Sequence, residues 1–271
     1  MSRFLRSEFR IVFGRRRNQL LLGVVALFPL LIGIGLKAAA PHGGGGGQNS
    51  SFFSQLAGNG VFLTFIALSM LLLLVLPVAI GVVAGDSIAG ESGHGTLRYL
   101  LTAPVGRARM LAVKYAVVVG FGVAATFVVS VVALVIGVIL FPVGPVTLLS
   151  GTTVSLSDGL LRVLLVTLYI CVAMAALGAI GLAISTLTEH PIGAIAAVLI
   201  VTVTSEVLDQ IPQFAAIGPY LPTHWWDSFD ALLRTPVDTG TLTRGLLSFV
   251  VYAVLFGSFA WARFTTADIT S

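Results

Sequence analysis

Gly90 to Tyr115 reads GESGHGTLRYLLTAPVGRARMLAVKY and places Glu91, Arg98, Arg107, Arg109 and Lys114 between two long apolar runs. Charges at that density must sit in water or against protein, so the chemistry on offer is electrostatic docking. Residue types that do covalent or metal chemistry lack the spacing for it. Gly43 to Phe52, GGGGGQNSSF, has the glycines of a phosphate-binding loop without its Lys-Ser/Thr and reads as flexible linker. No His-Glu-x-x-His or Cys-x-x-Cys occurs, so no metal site is expected. His42, His94, His190 and His224 are scattered near expected helix ends and loops, where a solvated structural role suits each. The single Cys171 lies in an apolar run and reads as a small buried hydrophobe. Glu206 and Asp209 lie one turn apart near the end of an apolar stretch, where they face either an exit vestibule or interfacial water.

The elements that must position these residues are membrane helices. Of the 271 residues 57% are hydrophobic and 10% charged, with mean hydropathy +1.03; soluble chains average about 25% charged. A span needs about 20 apolar residues, and six stretches qualify: roughly 19–37, 60–84, 111–141, 159–186, 191–209 and 244–263. The expected fold is all-α and integral to the membrane: an arm over 1–18, one six-helix domain over 19–263, and a tail over 264–271. With the N-terminus inside, eleven of the 15 Lys and Arg fall on the cytoplasmic side, and only Lys37, Arg162, Arg234 and Arg244 fall outside. Both termini are then cytoplasmic, in an inner (plasma) membrane, and 85–114 is the one sizeable internal cytoplasmic segment. Basic residues spent on topology do not point to nucleic acid. The arginine-rich start and the length of Leu20 to Leu36 exceed a cleavable signal peptide, whose apolar core is about 7–15 residues; KAAAPHG after it leaves a cleavage site as the alternative.

The arm, SRFLRSEFRIVFGRRR, has helical periodicity. Leu5, Phe9, Val12 and Phe13 share one face, with Phe4 and Ile11 at its edge; Arg3, Arg6, Ser7, Arg10 and Gly14 share the other. That pattern predicts an amphipathic helix in the inner interface, arginines toward lipid phosphate. Glu8 falls in the apolar arc, either as a snorkelling side chain or as a polar contact to the cytoplasmic segment or a partner. Arg15, Arg16 and Arg17 stop the arm at the first span. On the opposite side, Ile211 to Pro236 is broken by prolines; Trp225 and Trp226 suit the interface, and one or two short surface helices are expected. Spans two to four lack ionisable residues in their central parts, which argues against a proton-coupled transporter. Ala175, Ala179 and Ala183 form a small-residue ridge that serves either packing within the bundle or a dimer seam.

Within 85–115, Glu91, Gly95-Thr96-Leu97, Leu100-Leu101, Pro104-Val105, Arg107 and Lys114 together resemble the cytoplasmic signature of ABC-2-type transporter permeases. Gly106 stands where that pattern usually has Ser, and Val113 precedes Lys114 where Gly is common. The six spans, the arm and PYLPTHWW extend the resemblance over most of the chain. It implies a coupling helix between spans two and three that docks on a separate cytosolic ABC ATPase dimer. ATP and Mg would be bound there, with no cofactor on this chain. It also implies a second permease half, the same chain or a paralogue, surrounded by membrane lipid. Leu97, Leu100 and Leu101 would form the apolar knob, Pro104 its end, and Arg98, Arg107 and Arg109 the pairing charges; Glu91 would meet the ATPase or tie the segment to the arm. The expected function is the membrane half of an exporter of an amphiphilic or hydrophobic substrate, without enzymatic activity of its own. The alternative is a non-transporting scaffold or sensor that recruits a cytosolic protein through 85–114.

Overall fold

The computed structural model describes residues 2–39, 59–93 and 106–266. Its helices are α1 (Ser2–Gly14), α2 (Arg16–Ala39), α3 (Phe62–Leu73), α4 (Val75–Gly93), α5 (Arg107–Leu140), α6 (Leu156–Ser185), α7 (Pro191–Asp209) and α8 (Thr239–Thr266). Five of these are long and apolar enough to cross a membrane, and α3 with α4 makes a sixth if the bent pair counts as one span.

The stretch expected as one span over 60–84 is two helices at 50° to one another. Pro77 supplies the reason. Its ring cannot accommodate the carbonyl of Leu73 four residues back, and it has no N–H to donate there; the break falls at Leu74 (φ −141°). The other apolar stretches end close to their expected limits, but α4 continues to Gly93 and α5 begins at Arg107. Both flanks of the segment assigned to cytoplasmic coupling are therefore ends of long helices. At 1.5 Å per residue, the 34 residues of α5 extend about 51 Å, well beyond a hydrocarbon core of about 30 Å.

A small departure from all-α lies between α5 and α6, where β1 (Val146–Thr147) pairs antiparallel with β2 (Thr153–Val154), Val146 opposite Val154. The turn uses Gly151 at φ +78°. Ser155 then caps α6, its hydroxyl accepting from the Asp158 N–H.

The core runs along α6, buried through most of its length. Its small residues admit close neighbours: a Cβ on Gly181 would lie 2.7 Å from Ala84 of α4, and one on Gly178 2.9 Å from Val118 of α5. Of the small-residue ridge, Ala179 and Ala183 are buried within the bundle and Ala175 is half-buried. Where α3 begins, Gly60 meets Gly137 of α5 backbone to backbone; a Cβ on Gly60 would lie 2.2 Å from the Gly137 carbonyl oxygen. Thr126, Ser130 and Thr167 are buried polar groups satisfied by helix carbonyls and by a 2.8 Å Ser130–Thr167 hydroxyl contact.

The bundle has two ends. One, the elbow end, gathers α1, the start of α2, the end of α4, the start of α5 and the end of α8. The other, the cap end, gathers the hairpin and the 3-10 stretches Pro212–Phe214, Gly218–Tyr220 and Trp226–Leu233.

Candidate coupling site

α1 ends at Gly14 and α2 begins two residues later, which leaves the last carbonyls of α1 without helical partners. Asn18 and Gln19 reach back to fill them: Asn18 Nδ2 donates to Val12 O (2.9 Å) and Gln19 Nε2 to Phe13 O (3.0 Å). The elbow is thereby fixed, and it aims Arg15 and Arg17 at α4. Both guanidiniums converge on a single oxygen, Asp86 Oδ2, at 2.5 and 2.8 Å. Asp86 is 13% exposed, against 48% and 49% for the two arginines. Beside this pair lies a cavity of about 230 Å³, lined by Glu8, Asn18, Ser87 and Lys114 among others.

The apolar face of α1 covers α5. The Phe9 ring lies over Gly120, where a Cβ would come within 2.5 Å of it. Phe13 stacks on Phe9 and tilts against Phe121 at 5.8 Å. Phe4 packs on a second apolar cluster that contains Ile88, Met110 and Phe264. The face expected to lie in lipid thus rests partly on protein, while Arg6 and Arg10 are exposed. Leu5 is half-buried. Glu8 is only 9% exposed, so its position inside the apolar arc places it at the cavity, not on the surface.

Two further contacts close this end. Arg107 Nη1 donates to the carbonyl of Thr265 (3.2 Å), a cation at the C-terminal end of α8 where the helix dipole favours one. Ser185 at the end of α6 accepts from the N–H groups of Ile88 (3.2 Å) and Ala89 (3.0 Å) and donates to Gly85 O (2.8 Å).

The residues singled out in the sequence divide accordingly. Gly95, Thr96, Leu97, Arg98, Leu100, Leu101 and Pro104 lie outside the described residues. Glu91 is in the last turn of α4. Lys114 is 4% exposed and lines the elbow cavity, against the arm. The residue that the sequence did not single out is Asp86. It sits five residues before Glu91, where the signature begins, just past the apolar stretch of α4, and an acid there with three consecutive arginines elsewhere was the available signal. Ser185 offered none, since a hydroxyl at a helix end is ordinary.

At the cap end, Glu206 and Asp209 are on the last turns of α7. Asp209 pairs with His224 Nδ1 at 2.6 Å, and Ser205 meets the Thr223 hydroxyl at 2.7 Å. Trp225 donates from Nε1 to Pro219 O. Trp226 corrects the expectation of an interfacial side chain: it is 3% exposed and belongs to the main core. Arg162 reaches Leu232 O and Arg234 O, and Tyr169 donates to Trp225 O (2.7 Å). At the start of α8, the Thr241 hydroxyl and N–H both bond Asp238 and hold its carboxyl below the usual carboxylate range.

Comparison with known proteins agrees with this architecture. A family model described as ABC-2 family transporter protein matches residues 14–205, from the elbow through most of α7. Two curated relatives are each named a probable ABC transporter permease protein, NosY. The protein from Stutzerimonas stutzeri is 34% identical over 119 residues, 40% of this chain; that from Pseudomonas aeruginosa is 34% identical over 126 residues, 43% of this chain. The matched stretches span 39% and 42% of those two relatives. With the family match covering well over half of its length, the chain belongs to the ABC-2 family of transporter proteins.

Proposed function

We propose that this chain is the membrane-spanning permease of an ABC-2-type exporter, with ATP and Mg bound by a separate cytosolic ABC ATPase dimer and with a second permease half completing the path. The observation that carries the reading is the family match across 14–205, which includes the whole 85–114 signature. α4 and α5 lead into and out of 94–105, and their ends meet the arm and α8 at the elbow. A displacement of 94–105 by a partner would therefore load four elements at once. In this reading α1 is an amphipathic helix at the inner interface, 85–114 is the cytoplasmic coupling segment, and the bent α3–α4 pair is one of six spans. Both termini are cytoplasmic, in the inner (plasma) membrane. The substrate class is amphiphilic or hydrophobic, because the bundle interior is lined by apolar side chains and satisfied hydroxyls.

The test is to purify the tagged chain from its own host in mild detergent and identify what accompanies it. The reading expects a near-stoichiometric ATPase that is lost from Leu100→Asp. A chain that comes out alone, or with a protein that binds no nucleotide, removes the exporter.

A further inference from the structure

The last turns of α4 are gripped on two faces within five residues. On the first, Asp86 takes Arg15 and Arg17 on one oxygen. On the second, Ser185 enters the backbone at Gly85, Ile88 and Ala89. The grips differ in kind. The Ser185 bonds are buried and neutral, and breaking them leaves the fully buried Ser185 hydroxyl without these partners. The Asp86 bonds are charge-assisted and strong while made, but both arginines are about half exposed, so water can take the carboxylate's place. Gly90 completes the Asp86 grip. A Cβ there would lie 2.5 Å from Asp86 Oδ1, so any larger residue pushes the carboxylate from the place it holds along the helix. Topology does not require Asp86, since acids contribute little to orientation, and the apolar packing of α4 does not use it.

We propose that Asp86 is a positioning residue for the transport cycle: its shared ion pair makes the α1–α2 elbow and the end of α4 move as one body. Ser185 and Gly85 act as the pivot of that body against α6. Glu8 and Lys114, facing the same cavity from α1 and α5, bring the start of α5 into it. Displacement of 94–105 then reaches α1 through Asp86 and not through lipid. The proposal rests on the permease reading given above.

The experiment uses Asp86→Asn, Gly90→Ala and the charge-swapped triple Asp86→Arg/Arg15→Glu/Arg17→Glu, in nanodiscs, alone and with the ATPase that co-purifies with the wild-type chain. Hydrogen exchange is measured first. Asp86→Asn and Gly90→Ala are expected to speed exchange about tenfold at both 2–17 and 85–93, the size set by one lost charge-assisted pair, with 212–236 unchanged. The ATPase is expected to co-purify in undiminished amount, with hydrolysis per complex about tenfold lower. The swapped triple is expected to restore both readouts toward wild type, which a merely structural loss would not allow. Exchange that rises at 85–93 alone, or hydrolysis that stays at the wild-type rate in both single variants, overturns the proposal. If the wild-type chain brings down no ATPase, the permease reading fails separately, while joint or independent exchange at 2–17 and 85–93 still decides whether elbow and α4 form one body.

Discussion

At the cap end, three helices reach into 212–236: Arg162 and Tyr169 from α6, Ser205 and Asp209 from α7, and Tyr252 from α8, whose hydroxyl donates to Tyr220 O. At the elbow end, one carboxylate takes two arginines and one serine enters the α4 backbone. Most cap bonds end on backbone carbonyls, so each fixes the path of the chain itself. The elbow ion pair fixes only side-chain tips, which can exchange partners without moving a backbone atom. The cap is therefore held mostly through backbone, while the tie between the α1–α2 elbow and α4 rests on one carboxylate. A part that must transmit movement is better built the second way, because local opening follows regions with few buried contacts.

Four substitutions or conditions break or sharpen that contrast. Gly120→Leu has the largest expected effect. The new side chain occupies the place of the Phe9 ring and should undock α1, at about 3 kcal/mol or more for overpacking; rapid proteolysis of 2–17 with an intact cap would show it. Arg162→Ala comes next. It leaves the carbonyls of Leu232 and Arg234 without their donor, expected to lower stability by about 1.5–3 kcal/mol without changing exchange at 85–93. Raising salt from about 0.05 to 0.5 M shortens the Debye length severalfold. Exchange at 2–17 and 85–93 should rise and exchange at 212–236 should not; equal response at the two ends would erase the contrast. Asp238→Asn is the smallest. Its carboxyl is held below its ordinary value by the Thr241 bonds, so its contribution is present above the unfolded-state value and is lost as pH falls through the folded one. A small drop in thermal midpoint at neutral pH, vanishing in acid, is the expected signature.

Much of the helical layout is legible without coordinates because it depends on local quantities. Apolar runs mark α2, α5, α6, α7 and α8 to within a few residues, and Pro191 marks the start of α7 as its first-turn residue. The arm's periodicity separates Phe9 and Phe13 from Arg6 and Arg10, and Phe9 and Phe13 do turn inward. Pro77 was equally visible, and the 50° bend it causes needed only that its clash with residue 73 be weighed against the apolar run. Trp226 shows the opposite case. Its type suits an interface, and only the fold of 212–236 decides that it enters the core.

The sequence by itself determined that this is a helical membrane protein with its charges gathered at helix ends, because hydropathy and periodicity are properties of consecutive residues. It also carried the family signature over 85–114, a pattern of types at fixed spacing. Only the tertiary structure decided which charges meet. Arg17 and Asp86 are 69 residues apart in the chain, and Ser185 and Gly85 are 100 apart; nothing local couples such positions. Their meeting depends on how α6 packs its small residues against α4 and how Phe9 settles on Gly120. Those are matters of volume and close approach between helices, which no run of adjacent residues records.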